Sequence, residues 1–396
     1  MKSLASLLCL VLAAVAFSCN DDDLPSNASD NLIVLQGRYF GWTENQIIVV
    51  TDPAGKLLST HKSTNGLDTP IKPPLSGYGG SLINLYLINQ HDSMYTITAF
   101  MNLRRGSEFI GPYFENPWPE STPSKLNLKN VRSFETLTLS TDLYGWSTNQ
   151  QTESGSIDIY YHAGPLYSQV VSNGSGYYGF FDVDKQSGVT TIDGAELNKR
   201  STKVTIELGP DVVASSYSLN AAFDSESVGW NYQLYSTWGE SSIDVYYPDE
   251  PFAKYQSAIS YVADGHSYSE YRNDTSPNFK FDRIPFDGAV TNTNPKNFHL
   301  ETSGTFDYYV ATYRSWSHSS NLIVYSSQRY NEFQIPDFSS IAGVREFPFS
   351  DLESVTVEMV DFDGLEEISR DFRFFTSGHF PVPRNKRTNQ FTKSVD

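Results

Sequence analysis

Apolar and polar residues alternate with a period of two along much of this chain. In "KVTIEL" Val204, Ile206 and Leu208 fall on one face while Thr205 and Glu207 fall on the other, and "SVTVEM" repeats the arrangement with Val355, Val357 and Met359. Successive side chains of a strand point to opposite faces, so these are half-buried strands. Gly and Pro punctuate them in "DPAG", "SGYGG", "NGSG" and "GPDV", where Pro presets φ and Gly tolerates positive values. No run keeps apolar residues at three-four spacing with caps for more than a few turns, so helices are not expected. Composition agrees: with 25 Tyr and 25 Phe, aromatics reach 14% against only 19% charged residues, a balance that suits a pleated surface.

Above the strands there is a repeat. Trp42 opens "WTENQIIVV", Trp146 opens "WSTNQQTESGSIDIYY", Trp238 opens "WGESSIDVYY" and Trp316 opens "WSHSSNLIVYS". Each phrase is followed by an apolar stretch and an alternating strand: "LNLKNVRSFETLTL", "GAELNKRSTKVTIEL", "IPFDGAVTNTNPKNFHLE" and "FPFSDLESVTVEM". Copies of uneven length, from about sixty to over one hundred residues, argue for tandem antiparallel β-sandwich units, Ig-like or transthyretin-like, with variable loops. A β-propeller is the alternative, but its blades of about 40–45 residues are shorter than this repeat. The expected division is residues 33–140, 141–209, 210–303 and 304–396, one unit each. At 396 residues several cores are needed in any case.

The first residues differ in kind. Met1 and Lys2 precede "LASLLCLVLAAVAF", fourteen residues interrupted only by Ser6, the outline of an export signal over residues 1–18. A spanning helix needs about 20 apolar residues, so the segment is expected to be removed. Cys19 follows, with small Ala16 and Ser18 just before it. These residues resemble the lipobox of bacterial lipoproteins, and the resemblance implies a lipid on Cys19. The only other cysteine is Cys9, so no disulfide is expected in the mature chain. Acyl chains contribute about 0.8 kcal/mol per buried CH₂, and stable anchoring takes more than one. Residues 19–32, "CNDDDLPSNASDNL", read as a solvated tether. Within it Asn20, Asp21, Asp22 and Asp23 resemble the acidic export signal of Bacteroidota surface lipoproteins, which implies the outer face of the outer membrane. Asp92-Ser93-Met94 similarly resembles the short O-glycosylation site of exported Bacteroidota proteins.

Charge narrows the partners. The formal charge is −18, and becomes −19 once Lys2 leaves with the signal. Such a surface repels phosphate backbones, so nucleic acid is not an expected partner. The seven histidines, His61, His91, His162, His266, His299, His318 and His379, form no helical zinc pair. Neither a Gly-x-Ser-x-Gly elbow nor a phosphate-binding Gly-Lys-Ser/Thr loop occurs, so no catalytic residue is assigned and an enzyme is not the leading expectation. Asp182 and Asp184, and Asp361, Asp363, Glu366 and Glu367, place oxygens at alternate positions. They read first as hairpin-turn acids and only secondarily as calcium ligands, since Gly188 falls seventh from Asp182 rather than sixth. No cofactor is expected otherwise.

Aromatic residues carry the strongest binding signal, because sugars present flat CH faces to rings that also offer a polar handle. The repeated Trp42, Trp146, Trp238 and Trp316 read as packing residues. Trp118 differs: it lies in "GPYFENPWPESTPSK" beside Tyr113 and Phe114, where flanking prolines disfavour a central strand. Loops on rigid sandwiches are where binding residues concentrate. With Trp230, and with Tyr177 and Tyr178 of "NGSGYYGFFD", these are the candidate ligand-binding residues. The expected function is therefore a non-catalytic surface lipoprotein holding a polysaccharide or oligosaccharide. A structural or adhesive envelope lipoprotein with a protein partner is the alternative.

Overall fold

The computed structural model describes residues 31–35, 46–62, 69–91, 94–109, 122–131, 133–141, 145–148, 156–161, 164–184, 188–223, 232–315, 320–363 and 385–395. Among them there is no α-helix, and none long and apolar enough to cross a membrane. The strands fall into four successive groups. The first holds β1 (Ile33–Leu35), β2 (Ile47–Thr51), β3 (Leu57–Lys62), β4 (Thr69–Ile71), β5 (Leu82–His91), β6 (Met94–Arg104) and β7 (Ser107–Phe109). The second holds β8 (Thr122–Lys129), β9 (Thr136–Ser140), β10 (Gly145–Thr148), β11 (Ser156–Tyr161), β12 (Leu166–Ser172), β13 (Ser175–Phe181), β14 (Val189–Asp193) and β15 (Lys199–Arg200). In the third are β16 (Thr202–Glu207), β17 (Val212–Ala222), β18 (Tyr232–Gly239), β19 (Ser242–Tyr247), β20 (Lys254–Ala263), β21 (His266–Asp274) and β22 (Asp287–Asn292). The fourth has β23 (Phe298–Ser303), β24 (Tyr308–Ser315), β25 (Ser320–Ser327), β26 (Glu332–Phe333), β27 (Ser354–Asp363) and β28 (Asn385–Ser394).

One pairing order recurs in all four. The third, second, fifth and sixth strands lie side by side as β3-β2-β5-β6, β10-β9-β12-β13, β18-β17-β20-β21 and β25-β24-β27-β28. The fourth strand pairs separately with the first, as β4-β1, β11-β8, β19-β16 and β26-β23. In the first two groups the seventh strand joins the first in parallel, β7 on β1 and β14 on β8. The third group departs from this, because β22 pairs antiparallel with β23 of the fourth.

Apolar clusters lie between the two sheets of each group, as sandwich packing requires. Ile33, Ile71, Val50, Leu85 and Phe100 fill the first, and Leu126, Ile159, Leu137 and Val170 the second. Ile206, Val245, Tyr217 and Ile259 fill the third, and Phe298, Phe333, Tyr309 and Val357 the fourth. The chain is thus all-β with facing sheets, as its period-two pattern predicts.

Three of the four large sheets are one sheet. Antiparallel pairing of β21 with β28, and parallel pairing of β25 with β6, join them into twelve hydrogen-bonded strands. The covering small sheets do not all lie on the same side. Along β2, Ile48 and Val50 face the first cluster while Ile47 and Val49 face the fourth, which explains a run with no alternation. The connection from β26 to β27 lies over that second face: Phe338 meets Tyr86 edge-on at 4.9 Å, and Phe347 meets Tyr95 at 5.0 Å. The second group keeps its own sheet and packs Tyr167, Val171 and Tyr178 into the third cluster.

Two sequence expectations change here. Strand pairing divides the chain earlier than the bounds 33–140, 141–209, 210–303 and 304–396. β8 and β9 belong with the second group, and β16 with the third. The repeat also has a different phase from the tryptophan phrases. "SIDIYY" and "SIDVYY" are fourth strands, β11 and β19, whereas "QIIVV" belongs to the second strand β2 and "NLIVYS" to the third strand β25. A turn followed by an apolar strand describes any of these three positions, so the phrase cannot distinguish them.

Candidate functional site

Most residues singled out in the sequence lie outside the described residues: Cys19, Asn20, Asp21, Asp22, Asp23, Tyr113, Phe114, Trp118 and Trp230, and also Ser93. Tyr177 and Tyr178 are described, and they stand on a strand rather than a loop. β13 is the return strand of a hairpin turned at Asn173 and Gly174, both with positive φ. The two rings therefore point to opposite faces. Tyr177 packs against the second group's core. Tyr178 is 3% exposed, and its hydroxyl donates to Glu250 Oε1 at 3.1 Å. Burial and the neighbouring glutamate push that hydroxyl up to about 12.

Of the repeated tryptophans, Trp42 and Trp316 lie outside the described residues, and the other two do not share one environment. Trp146 packs partly buried against the second core, while Trp238 is 73% exposed, which corrects its reading as a packing residue. Trp238 stands near the end of β18, the edge strand of the twelve, and its indole crowns a row of facing residues. Register places Ser216, Ser260, Ser269 and the buried Thr388 successively opposite one another on β17, β20, β21 and β28. Directly opposed residues share a face, so these hydroxyls line one side of the sheet. Ser260 and Ser269 are joined through their Oγ atoms at 2.9 Å.

Two further rows run parallel to the first. One contains Ser236, Ser218, Ala258 and Tyr271; the other contains Gln233, Asn220, Gln256 and Asn273. Asn220 Nδ2 donates to Gln256 Oε1 at 3.1 Å, and Gln256 Nε2 donates to Asn273 Oδ1 at 3.3 Å. A primary amide has two donors and two acceptor lone pairs, so Asn220 and Gln256 retain capacity for a ligand. The opposite face of the same strands carries Tyr217, Leu219 and Ile259 into the third core. The outer face is consequently supported by the packing beneath it. Strands are spaced by about 4.8 Å, so four strands make a platform roughly 14 Å across.

A concavity lies beside the fourth group. Its volume is about 570 Å³, and it is lined by Val290, Thr291, Asn292, Thr293, Asn294, Asn297, Lys393 and Ser394. A register shift between Val290 and Asn292 marks a bulge in β22, the device that re-aims side chains at a sheet end. Lys393 Nζ donates to Val290 O at 2.7 Å.

Two buried carboxylates elsewhere have structural partners. Arg387 Nε donates to Asp361 Oδ2 at 2.9 Å, and Arg272 reaches the buried Glu270 Oε1 through Nε at 2.8 Å and Nη2 at 2.6 Å. Asp182 is exposed, and the backbone N–H of Asp184 donates to Thr190 Oγ1. Among the described residues no three His, Cys, Asp or Glu side chains come together as a metal site. The outer-face rows were legible only as alternation in "ASSYSLNAA", where small polar residues occupy every second position. No family model matches the chain, and a search of curated proteins finds no match.

Proposed function

We propose that this protein is a non-catalytic, lipid-anchored protein of the outer cell surface that binds glycan on the outer face of β18, β17, β20 and β21. The observation that carries the reading is Trp238, a large exposed ring at the end of a row of hydroxyls, with a row of amides on the same face of the sheet. A sugar chain needs those two elements together: a ring to stack on its CH faces, and polar groups that exchange hydrogen bonds with its hydroxyls. Adjacent rows on several strands suit an extended polymer better than a compact ligand. The anchor rests on Cys19 and the acidic stretch after it, where a lipid would place this face outside the cell.

The test is electrophoresis of the detergent-solubilised full-length protein through native gels cast with a panel of polysaccharides. At least one is expected to retard it, and Trp238→Ala to weaken the retardation by roughly three- to tenfold, the worth of one aromatic contact of about 0.5–1.5 kcal/mol. No retardation across the panel would contradict the reading and direct attention to a protein partner. For the anchor, Cys19→Ala is expected to abolish palmitate labelling and move the protein from the membrane fraction to the soluble one. Retained labelling would refute it.

A further inference from the structure

We infer that the cleft between the β22–β23 hairpin and the end of β28 is a separate site for a saccharide unit bearing a single negative charge, a hexuronate carboxylate or a sulfate ester. Several hydrogen-bonding groups of the cleft are already committed within the turn. Asn292 Oδ1 accepts from Asn294 N at 3.0 Å, and Asn294 Oδ1 accepts from Lys296 N at 2.9 Å. Backbone N–H groups are donors only, so these two bonds fix which end of each amide is oxygen. Both side chains therefore use their acceptors on the turn, while neither Nδ2 has a partner among the described residues. Lys393 adds an ammonium with three donors, one of them on Val290 O at 2.7 Å. It forms no ion pair among the described residues. Thr291 Oγ1 is engaged by His299 Nδ1 at 2.7 Å, which ties down that side of the hairpin.

The result is a cleft rich in donors with one positive charge and, among the described residues, no carboxylate in its lining. In a chain of net charge −18 such a place is unusual, and a donor-rich cation site selects an oxyanion. Its shape says more. At about 570 Å³ it lies within the common range of small-molecule sites, roughly 300–1,000 Å³, and is far larger than one ion requires. Among the described residues its walls are Asn, Thr, Ser and Lys with Val290, and no aromatic ring. An apolar or stacking ligand is therefore a poor match, whereas a polyol carrying one anionic group can use the ammonium and the amides together. The sugar part of this inference rests on the glycan reading above; the anion part rests on the cleft alone.

Calorimetric titration of the full-length protein with oligogalacturonate, with a sulfated galactose oligomer and with the matching neutral oligomer tests it. At least one charged oligomer is expected to bind more tightly than the neutral one, and which of them binds identifies the anionic group. Lys393→Gln is expected to lower that affinity at least tenfold. Asn292→Asp with Asn294→Asp supplies a second test, because aspartate still accepts the turn's backbone N–H bonds while its free end becomes a charged acceptor. This pair should fold and should abolish binding of the charged oligomer. Failure of both charged oligomers to bind, or unchanged affinity in both variants, would overturn the inference. Polysaccharide retardation that depends on Trp238 would survive either negative result, so the two proposals fail separately.

Discussion

At the scale of single residues, stability depends on charges held near the sheet's interior face. Asp361 and Arg387 oppose one another across β27 and β28, and the carboxylate is 12% exposed. The arginine is 33% exposed, so the pair is partly buried, and leaving its carboxylate unsatisfied costs about 1–3 kcal/mol. Arg387→Ala is therefore expected to lower the urea midpoint by the equivalent of roughly 2 kcal/mol; a loss under about 0.5 kcal/mol would mean that water reaches Asp361 freely. Glu250 responds to pH. It accepts from Lys199 Nζ at 2.6 Å and from the Tyr178 hydroxyl, and the lysine hydrogen bond holds its carboxyl below the usual range. A depressed pKa contributes stability above the unfolded value of about 4.3, and that contribution disappears as pH falls through the folded value. Urea midpoints followed from about pH 6 to about pH 3 should accordingly fall less steeply in Glu250→Gln than in the parent. Parallel slopes would assign the acid sensitivity elsewhere. Gly304 shows a backbone constraint: at φ +75°, an added Cβ would lie 2.8 Å from Phe286 Cα. Gly304→Ala should destabilise by about 1–3 kcal/mol, read as a lower melting temperature.

Among strands, the sequence was informative wherever one face is buried and the other wet. "KVTIEL" and "SVTVEM" are β16 and β27, with the alternation their residues predict. It was less informative where both faces are covered. "LINLYL" and "IIVV" show no period because β5 and β2 are sandwiched between two clusters, and a continuous apolar run says only that a segment is buried. The fourfold repeat could be seen as recurring phrases, yet its phase could not, since hydrogen-bonded partners are distant in sequence. The outer-face rows escaped for the same reason: Ser216, Ser260, Ser269 and Thr388 are neighbours only through register. Trp238 looked like Trp146 in its phrase, but register sets Trp146 opposite the core residue Leu139 and Trp238 opposite Ser216 of the outer face, which leaves its ring in solvent. One connection has structural weight of its own. Phe338, between β26 and β27, is buried against Tyr86 of the first group, so Phe338→Ala should cost about 3–5 kcal/mol in denaturant unfolding. A cost below about 1 kcal/mol would show that this connection does not hold the first group's second face.

For the whole molecule, twelve paired strands make three groups mechanically continuous. Their two joints, β21 on β28 and β25 on β6, leave β18 and β3 as the sheet's edges. Edge strands that remain exposed attract unwanted pairing, and at the β18 edge the second group is close: Ser140 Oγ accepts from Gln233 N at 2.8 Å. That contact leaves Trp238 uncovered, with the hydroxyl and amide rows beside it. The central claim is that this face, and this indole, meet a glycan. Acrylamide quenching of tryptophan emission tests it most directly, with Trp238→Phe isolating the share of Trp238 from the other five tryptophans. A polysaccharide that binds is expected to shield part of the emission in the parent protein and none in Trp238→Phe. If every polysaccharide that binds leaves the Trp238 component as quenchable as before, the glycan surface lies elsewhere and the account is wrong.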